Sequence, residues 1–300
     1  MDSLSQRAPV LALFIAVGAC DRAPGYEAPP LPAGALELRD VGFQTPESVL
    51  HDSLADVYLV SNINGGGRDR DDNGFISRVS PDGQLIELKW IDGADANVSL
   101  SAPKGSAIIG DSLFVTDIDS IRVFDRNTGA PLRSFSVPNA TALNDLAVAV
   151  DGALWVSDMG SPEMAARTGV HRIAPGGEAR LVATGEEIDG PNGLLQFGDS
   201  VLVASYRGNE LVVANAERVT GTFATVSGSR LDGLVHLPDG SVLVSSWDAM
   251  AIFRTRAGGQ SAEVLFDNLR SPADIGYDAR RNRLLVPSFD GGWLRIYPLQ

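Results

Sequence analysis

The chain is short of the residues that carry several common chemistries. Its 300 residues include one cysteine, Cys20, three histidines and two lysines, Lys89 and Lys104. A single cysteine excludes an internal disulfide, a cysteine-rich zinc site and a thiol redox pair. Basic residues number 24 against 38 acidic ones, a formal charge of −14. Such a surface repels polyanions, which argues against nucleic acid as a partner and against charge-driven docking on an anionic membrane. No Gly-x-Ser-x-Gly elbow, His-Glu-x-x-His pair or dinucleotide fingerprint occurs, which disfavours serine-hydrolase, zincin and Rossmann chemistry. Nor does a convincing helical period appear after Leu36. What is present is an ordinary globular share of apolar residues, 44%, with Gly 32 and Pro 17, the composition of a chain that turns often.

The N-terminus has its own character. After Arg7 comes the apolar run from Ala8 to Val17, too short to span a bilayer but long enough for a signal-peptide core. It ends in Val17-Gly18-Ala19-Cys20, which resembles a bacterial lipobox: an aliphatic residue, two small ones, then the lipidated cysteine. Residues 1–19 are therefore expected to be a lipoprotein signal peptide with Cys20 as the lipidation site. An ordinary secretory signal, or a buried N-terminal segment with an incidental cysteine, is the plainer alternative. Residues 20–35 carry Pro24, Pro29, Pro30 and Pro32 and predict an extended tether. The expected location is the bacterial cell envelope, with membrane contact only through the lipid, and the folded part runs from Leu36 to residue 300.

From Leu36 onward, short β-favouring runs recur about every 45 residues: Val57–Val60, Leu113–Val115, Leu154–Val156, Val201–Val203, Val242–Val244 and Leu284–Val286. Most follow a hairpin signal such as Asp151-Gly152, Gly198-Asp199 or Asp239-Gly240, and each precedes another strand. Repeats too small to bury their own faces predict stacked four-stranded blades. The expected fold is an all-β, six-bladed β-propeller in one domain. The last repeat shows only three strands, and the spare strand Leu36–Val41 is expected to complete it and close the ring.

A polar residue stands upstream of each run: Glu47, Lys104, Asn144, Asn192, Asp232 and Asp274 lie 13, 11, 12, 11, 12 and 12 positions before the valine of the following strand. This constant phase predicts that all six converge at one level of a central channel. Three carboxylates, two amides and one ammonium give the ring a charge of −2. Crowded oxygens of this kind favour a hard divalent cation, Ca²⁺ before Mg²⁺ or Mn²⁺. The plainer reading is that they are turn and cap residues at strand entries.

With these residues in view, the sequence resembles the family of senescence marker protein (regucalcin), gluconolactonase and luciferin-regenerating enzyme, and more distantly the paraoxonases. Pro46-Glu47-Ser48, Asn144-Asp145, Pro191-Asn192-Gly193-Leu194 and Leu231-Asp232-Gly233-Leu234 match the family's ligand motifs. The resemblance implies a six-bladed propeller with a divalent metal held by Glu47, Asn144, Asn192 and Asp232. It departs at Ala142, where sugar-lactonase members carry a substrate-contacting arginine. His51, His171 and His236 do not reproduce the histidines reported near the paraoxonase metal.

The expected activity is metal-dependent hydrolysis of a lactone or related ester by a monomer. Asp232 or Asp274 would accept the proton of the attacking water, and Lys104 would stabilise developing charge or orient the substrate. A non-catalytic, envelope-tethered propeller that binds a small ligand or protein partner around a structural metal is the alternative. The loop Asp69–Gly74 matches the first half of a calcium loop without its closing Glu. A solvated acidic loop, a peripheral Ca²⁺ site and a cover over the channel mouth all remain open for it. Trp247-Asp248 occurs once and reads as core packing followed by a loop residue.

Overall fold

The computed structural model describes residues 26–256 and 258–300; the expected signal peptide and Cys20 lie outside the described residues. β1 (Leu36–Arg39) comes first. β2 (Pro46–Asp52), β3 (Val57–Asn62), β4 (Phe75–Val79) and β5 (Leu85–Asp92) form one sheet, and β6 (Pro103–Ile109), β7 (Ser112–Asp117), β8 (Ser120–Asp125) and β9 (Pro131–Ser136) form the next. β10 (Leu143–Val148), β11 (Leu154–Asp158), β12 (Gly169–Ile173) and β13 (Ala179–Thr184) form the third.

β14 (Pro191–Phe197), β15 (Ser200–Ser205), β16 (Glu210–Ala214) and β17 (Val219–Thr225) follow the same pattern. So do β18 (Leu231–His236), β19 (Val242–Ser246), β20 (Ala251–Thr255) and β21 (Gln260–Phe266). These two groups join as one eight-stranded sheet through a short parallel contact, Ala224 with Gln260 and Thr225 with Ser261. β22 (Gly276–Asp278), β23 (Arg283–Ser288) and β24 (Trp293–Pro298) complete the chain, and β1 pairs antiparallel with β24, Leu36 opposite Ile296 and Arg39 opposite Trp293. The fold is an all-β, propeller-like arrangement of four-stranded antiparallel sheets whose last sheet is finished by the first strand.

The sequence pattern accounts for this layout. The second strands β3, β15 and β19 are buried along nearly their whole length, as expected when both faces meet neighbouring sheets. Gly152, Gly198, Gly240 and Asn282 take φ of +80°, +60°, +85° and +51° in the turns ahead of β11, β15, β19 and β23. Glycine pays little for that conformation, and asparagine less than most residues. Apolar clusters fill the junctions between successive sheets: Trp155 with Val203, Leu202 with Val244, Leu243 with Trp293, and Tyr58 with Leu294. The first strands β2, β6, β10, β14, β18 and β22 touch in succession and return from β22 to β2. Asp274 N–H donates to the Glu47 carbonyl at 2.9 Å, and Val49 N–H to that of Asp274 at 3.3 Å.

Residues 26–35 have no regular strand, yet they lie against the ring. Arg295 donates to the Pro29 carbonyl at 3.3 Å. The Tyr26 hydroxyl donates to the Asn268 carbonyl at 3.1 Å and accepts from Arg270 N–H at 3.2 Å. Tyr26 therefore sits at the loop that leads into Asp274, at the end of the ring where the first strands begin.

Candidate metal centre

Five of the six phased residues occupy equivalent backbone positions. The pairing of the first strand with the second shifts register across Pro46/Ser48, Pro103/Ser106, Leu143/Leu146, Pro191/Leu194 and Leu231/Leu234. Glu47, Lys104, Asn144, Asn192 and Asp232 each fall inside such an irregularity. A bulge frees a residue from the ladder and re-aims its side chain, a device common beside active sites. Asp274 differs: it precedes β22 and bridges Ser48 in parallel. Glycine follows three of the bulged residues for a spatial reason. A Cβ on Gly193 would stand 2.1 Å from the Asp232 carbonyl oxygen, and one on Gly233 would stand 2.2 Å from Ile275 N.

The centre itself is a cage of acceptors. Glu47, Asn144, Asn192 and Asp232 are all buried. One oxygen of each, Glu47 Oε2, Asn144 Oδ1, Asn192 Oδ1 and Asp232 Oδ1, is buried without a hydrogen-bond partner. The remaining atoms are oriented from outside the centre: Asn192 Nδ2 donates to the Leu231 carbonyl at 3.1 Å, and Trp247 Nε1 to Asp232 Oδ2 at 2.8 Å. Buried acceptors without partners cost on the order of 1–3 kcal/mol each, more when charged. Four oxygens with nothing to accept from are the donor set of a hard cation. The residues fit a divalent ion of the Ca²⁺ type. Among the described residues no cluster of three or more His, Cys, Asp or Glu is found as a metal site; this set combines two carboxylates with two amides.

The electrostatics agree with a missing positive charge. Burial, and then the neighbouring Asp232, hold the Glu47 carboxyl well above its ordinary range. Burial, aided by Asp145 and opposed by the Trp247 hydrogen bond, pushes Asp232 up to about 7. Asp145 is likewise pushed up to about 7 by burial, against hydrogen bonds from Leu194 and Leu146 N–H, both 2.6 Å. Asp274 is raised by burial, then by Asp145, Asp232 and Glu47. It lines a cavity of about 170 Å³ together with Asp145, Ser48 and His51. Sequence phasing places Asp274 level with the other five residues, whereas its side chain faces this cavity inside the channel.

Lys104 is buried, and burial lowers its pKa. Its ammonium donates to the carbonyls of Gly67 at 3.0 Å and Ala102 at 3.3 Å, so it grips the loop between β3 and β4. That loop reaches across the channel end. Arg68 donates to the Gly160 carbonyl at 3.0 Å, Arg70 pairs with Asp119 at 2.6 Å, and Asp72 accepts from Leu100 N–H at 3.2 Å. Arg207 reaches the same Gly160 carbonyl from the other side at 3.0 Å. Within the loop, Gly66 N–H donates to Asp69 and Asn73 Nδ2 to Asp71.

His171 and His236 lie elsewhere, and His51, which lines the channel cavity, is held from its outer side. His51 pairs with Asp56 at 3.2 Å and with Asp278 at 3.5 Å. His171 is buried in β12 with Nε2 unpartnered, and burial lowers its pKa. His236 is exposed. Trp247, read from the sequence as core packing, instead braces Asp232 and stacks toward Phe289 at 4.9 Å.

The family model of the SMP-30/gluconolactonase/LRE-like region matches residues 73–274. A gluconolactonase structure from Xanthomonas campestris aligns over 89% of this chain and 91% of its own, with a TM-score of 0.67 and 20% identity. A streptogramin B lyase aligns over 87% and 96%, with a TM-score of 0.62 and 11% identity. A catalytically inactive virginiamycin B lyase from Staphylococcus aureus, solved with quinupristin, aligns over 89% and 99% at 0.59 and 16%. No curated protein matches the chain.

Proposed function

The chain belongs to the SMP-30/gluconolactonase/LRE-like family, and from that premise we propose that it is a divalent-metal-dependent hydrolase of a lactone or related ester. The observation that carries this reading is the set of four buried, partnerless oxygens on Glu47, Asn144, Asn192 and Asp232, which would hold Ca²⁺, or in its place Mg²⁺ or Mn²⁺. Such an ion would supply Lewis-acid polarisation of the carbonyl.

The chain's own residues do the rest. Glu47 and Asp232 provide the negative charge that retains the cation. Trp247 fixes Asp232 by one oxygen, so only Oδ1 faces the centre. Asp274, half-buried beside the channel cavity, is the proton acceptor this reading favours, with Asp232 second. Lys104 lies close enough to the Glu47 carboxyl to lower its pKa and faces negative charge that develops at the ring.

The same reading counts six blades, taking the eight-stranded sheet as two meanders joined at their outer edges, and a monomer as the working form. It also places a lipid on Cys20. Tyr26, six positions later, lies at the mouth end of the ring, so the anchor would hold the channel mouth toward the bilayer at the envelope.

Elemental analysis of the purified protein beside a lactone panel, with and without EDTA, tests the proposal. Activity should vanish on chelation and return with Ca²⁺. Full activity in Asp232→Ala would overturn it.

A further inference from the structure

Immediately after each second strand comes a large apolar residue, preceded by a small polar one: Asn62-Ile63, Asp117-Ile118, Asp158-Met159, Ser205-Tyr206, Ser246-Trp247 and Ser288-Phe289. The polar member ties down the loop leading into the same sheet's first strand. Asp117 accepts from Ala102 N–H at 2.8 Å, Asp158 from Ala142 N–H at 2.8 Å, and Ser246 donates to the Ser229 carbonyl at 2.6 Å. The apolar member is fixed by its own N–H. Ile63 donates to Thr45, Met159 to Ala142, Tyr206 to Gly190, Trp247 to Arg230 and Phe289 to Ser271, at 2.8–3.2 Å. Thr45, Ala142, Gly190 and Arg230 each stand two positions before a candidate ligand. The backbone thus sets an apolar side chain, Ile63, Met159, Tyr206 or Trp247, above each of the four candidate ligands.

These side chains form a collar. Ile63, Ile118 and Ala102 make a buried cluster against which Phe289 packs. Phe289 lies 4.9 Å from Trp247, and Trp247 lies 6.3 Å from Tyr206. The three aromatics are only half buried, so each leaves part of its ring exposed. Arg230 lies over Tyr206 at 5.2 Å and over Trp247 at 5.1 Å. Ile118 holds φ of +59° and Arg230 φ of +52°, costly values for residues with side chains. Several polar groups at this end are already engaged, Ser229 with Asp248, Ser271 with Asp290, and Arg68 and Arg207 with Gly160.

We propose that this collar selects a lactone or ester bearing a flat apolar substituent, an aryl group foremost, over a polyhydroxylated sugar lactone, with Trp247 and Phe289 as the residues that determine specificity. The inference rests on the hydrolase reading for the reacting group, while the collar itself recognises the substituent. Exposed aromatic surface rewards a ring and offers a polyol little to bond.

The test compares γ-phenyl-γ-butyrolactone, γ-butyrolactone and δ-gluconolactone as substrates of the Ca²⁺-loaded protein. Alongside them, calorimetry measures binding of the hydrolysis-resistant 5-phenyl-2-pyrrolidinone and 2-pyrrolidinone. The phenyl lactone should exceed the unsubstituted one in kcat/KM by at least about tenfold, as burial of one ring face allows. Phe289→Leu, which keeps bulk but removes the ring, should bring that ratio below about threefold; Phe289→Ala should do so further if it folds. Preference for δ-gluconolactone, or an unchanged ratio in Phe289→Leu, overturns the collar and leaves the hydrolase standing. If no lactone is hydrolysed, the hydrolase reading falls and the two lactams decide. Tenfold tighter binding of the phenyl lactam, lost in Phe289→Leu, supports the collar; equal binding, or none, overturns it.

Discussion

In the cation-free protein, raising the pH should destabilise the fold, and Asp232→Asn should blunt the effect. Burial and nearby carboxylates put the Asp232 carboxyl at about 7 in the folded chain, against 3.8 for the free group. Between those values the folded state binds the proton more tightly than the unfolded state does. Stability from this group is therefore full below about pH 4 and is lost as the pH rises through 7. One pH unit corresponds to ~1.4 kcal/mol, so Asp232 alone accounts for a loss on the order of 4 kcal/mol by pH 8. For a domain of this size that is roughly 8 °C in Tm. Carboxyls held low, such as Asp239, brought to about 2 by hydrogen bonds from Ser241 and then by Arg254, are ionised in both states above pH 5 and do not contribute there. Burial of neutral His171 acts in the opposite direction, and it is common to both proteins.

The assay is thermal unfolding of EDTA-treated wild type and Asp232→Asn from pH 5 to 8, each repeated with excess Ca²⁺. Apo wild type should lose Tm with pH, and apo Asp232→Asn should lose less and be the more stable of the two at pH 8. Ca²⁺ at a hundred times its Kd should restore ~2.7 kcal/mol to the wild type, with a larger rise at pH 8 than at pH 5 because protons compete for the same oxygens. Identical pH profiles for the two apo proteins, or equal Ca²⁺ shifts in both, would refute the buried-cage reasoning.

Other changes should separate the roles further. Gly193→Ala places a Cβ against the Asp232 carbonyl; an expected loss of at least ~2 kcal/mol with weakened Ca²⁺ binding is read by chemical denaturation and calorimetry. Lys104→Met removes the grip on Gly67, so trypsin should cut after Arg68 or Arg70 several-fold faster in limited proteolysis. Glu37→Ala leaves the buried Arg295, paired at 2.6 Å, without its partner. It should cost about 3–5 kcal/mol in urea unfolding, a direct measure of how firmly β1 closes the last sheet.

The strands and their order were legible because each second strand is buried on both faces, and an apolar run between turn residues records that directly. Phasing also brought Glu47, Asn144, Asn192 and Asp232 to one place, since an inner strand of nearly constant length carries each at the same height. It failed for Asp274. That residue lies ahead of β22, where its backbone bonds to Glu47 and Val49 in place of the partner strand, and residue spacing does not register which strand a backbone pairs with. The strand Leu36–Val41 ended early for a local reason: Asp40 takes φ of +56° and turns the chain into the loop before β2.

The collar was present in the sequence at the same phase and went unnoticed because its residue types vary. Ile63, Ile118, Met159, Tyr206, Trp247 and Phe289 share neither charge nor shape, only a position one residue past the second strand. That difference has a physical basis. A cation centre constrains chemistry, so its residues must all present oxygen and can be recognised by type. A collar that accommodates a substituent constrains volume and polarity alone, and its members can differ from sheet to sheet, aromatic on one side and aliphatic on the other. The asymmetry sets direction: an aryl group seated against Phe289 and Trp247 would lie on the Asp232 side of the centre, since Trp247 also braces Asp232. Turnover of the two enantiomers of γ-phenyl-γ-butyrolactone should therefore differ in the wild type, and the difference should narrow when Phe289 becomes leucine, since the aromatic side helps to distinguish one orientation of the ring from the other.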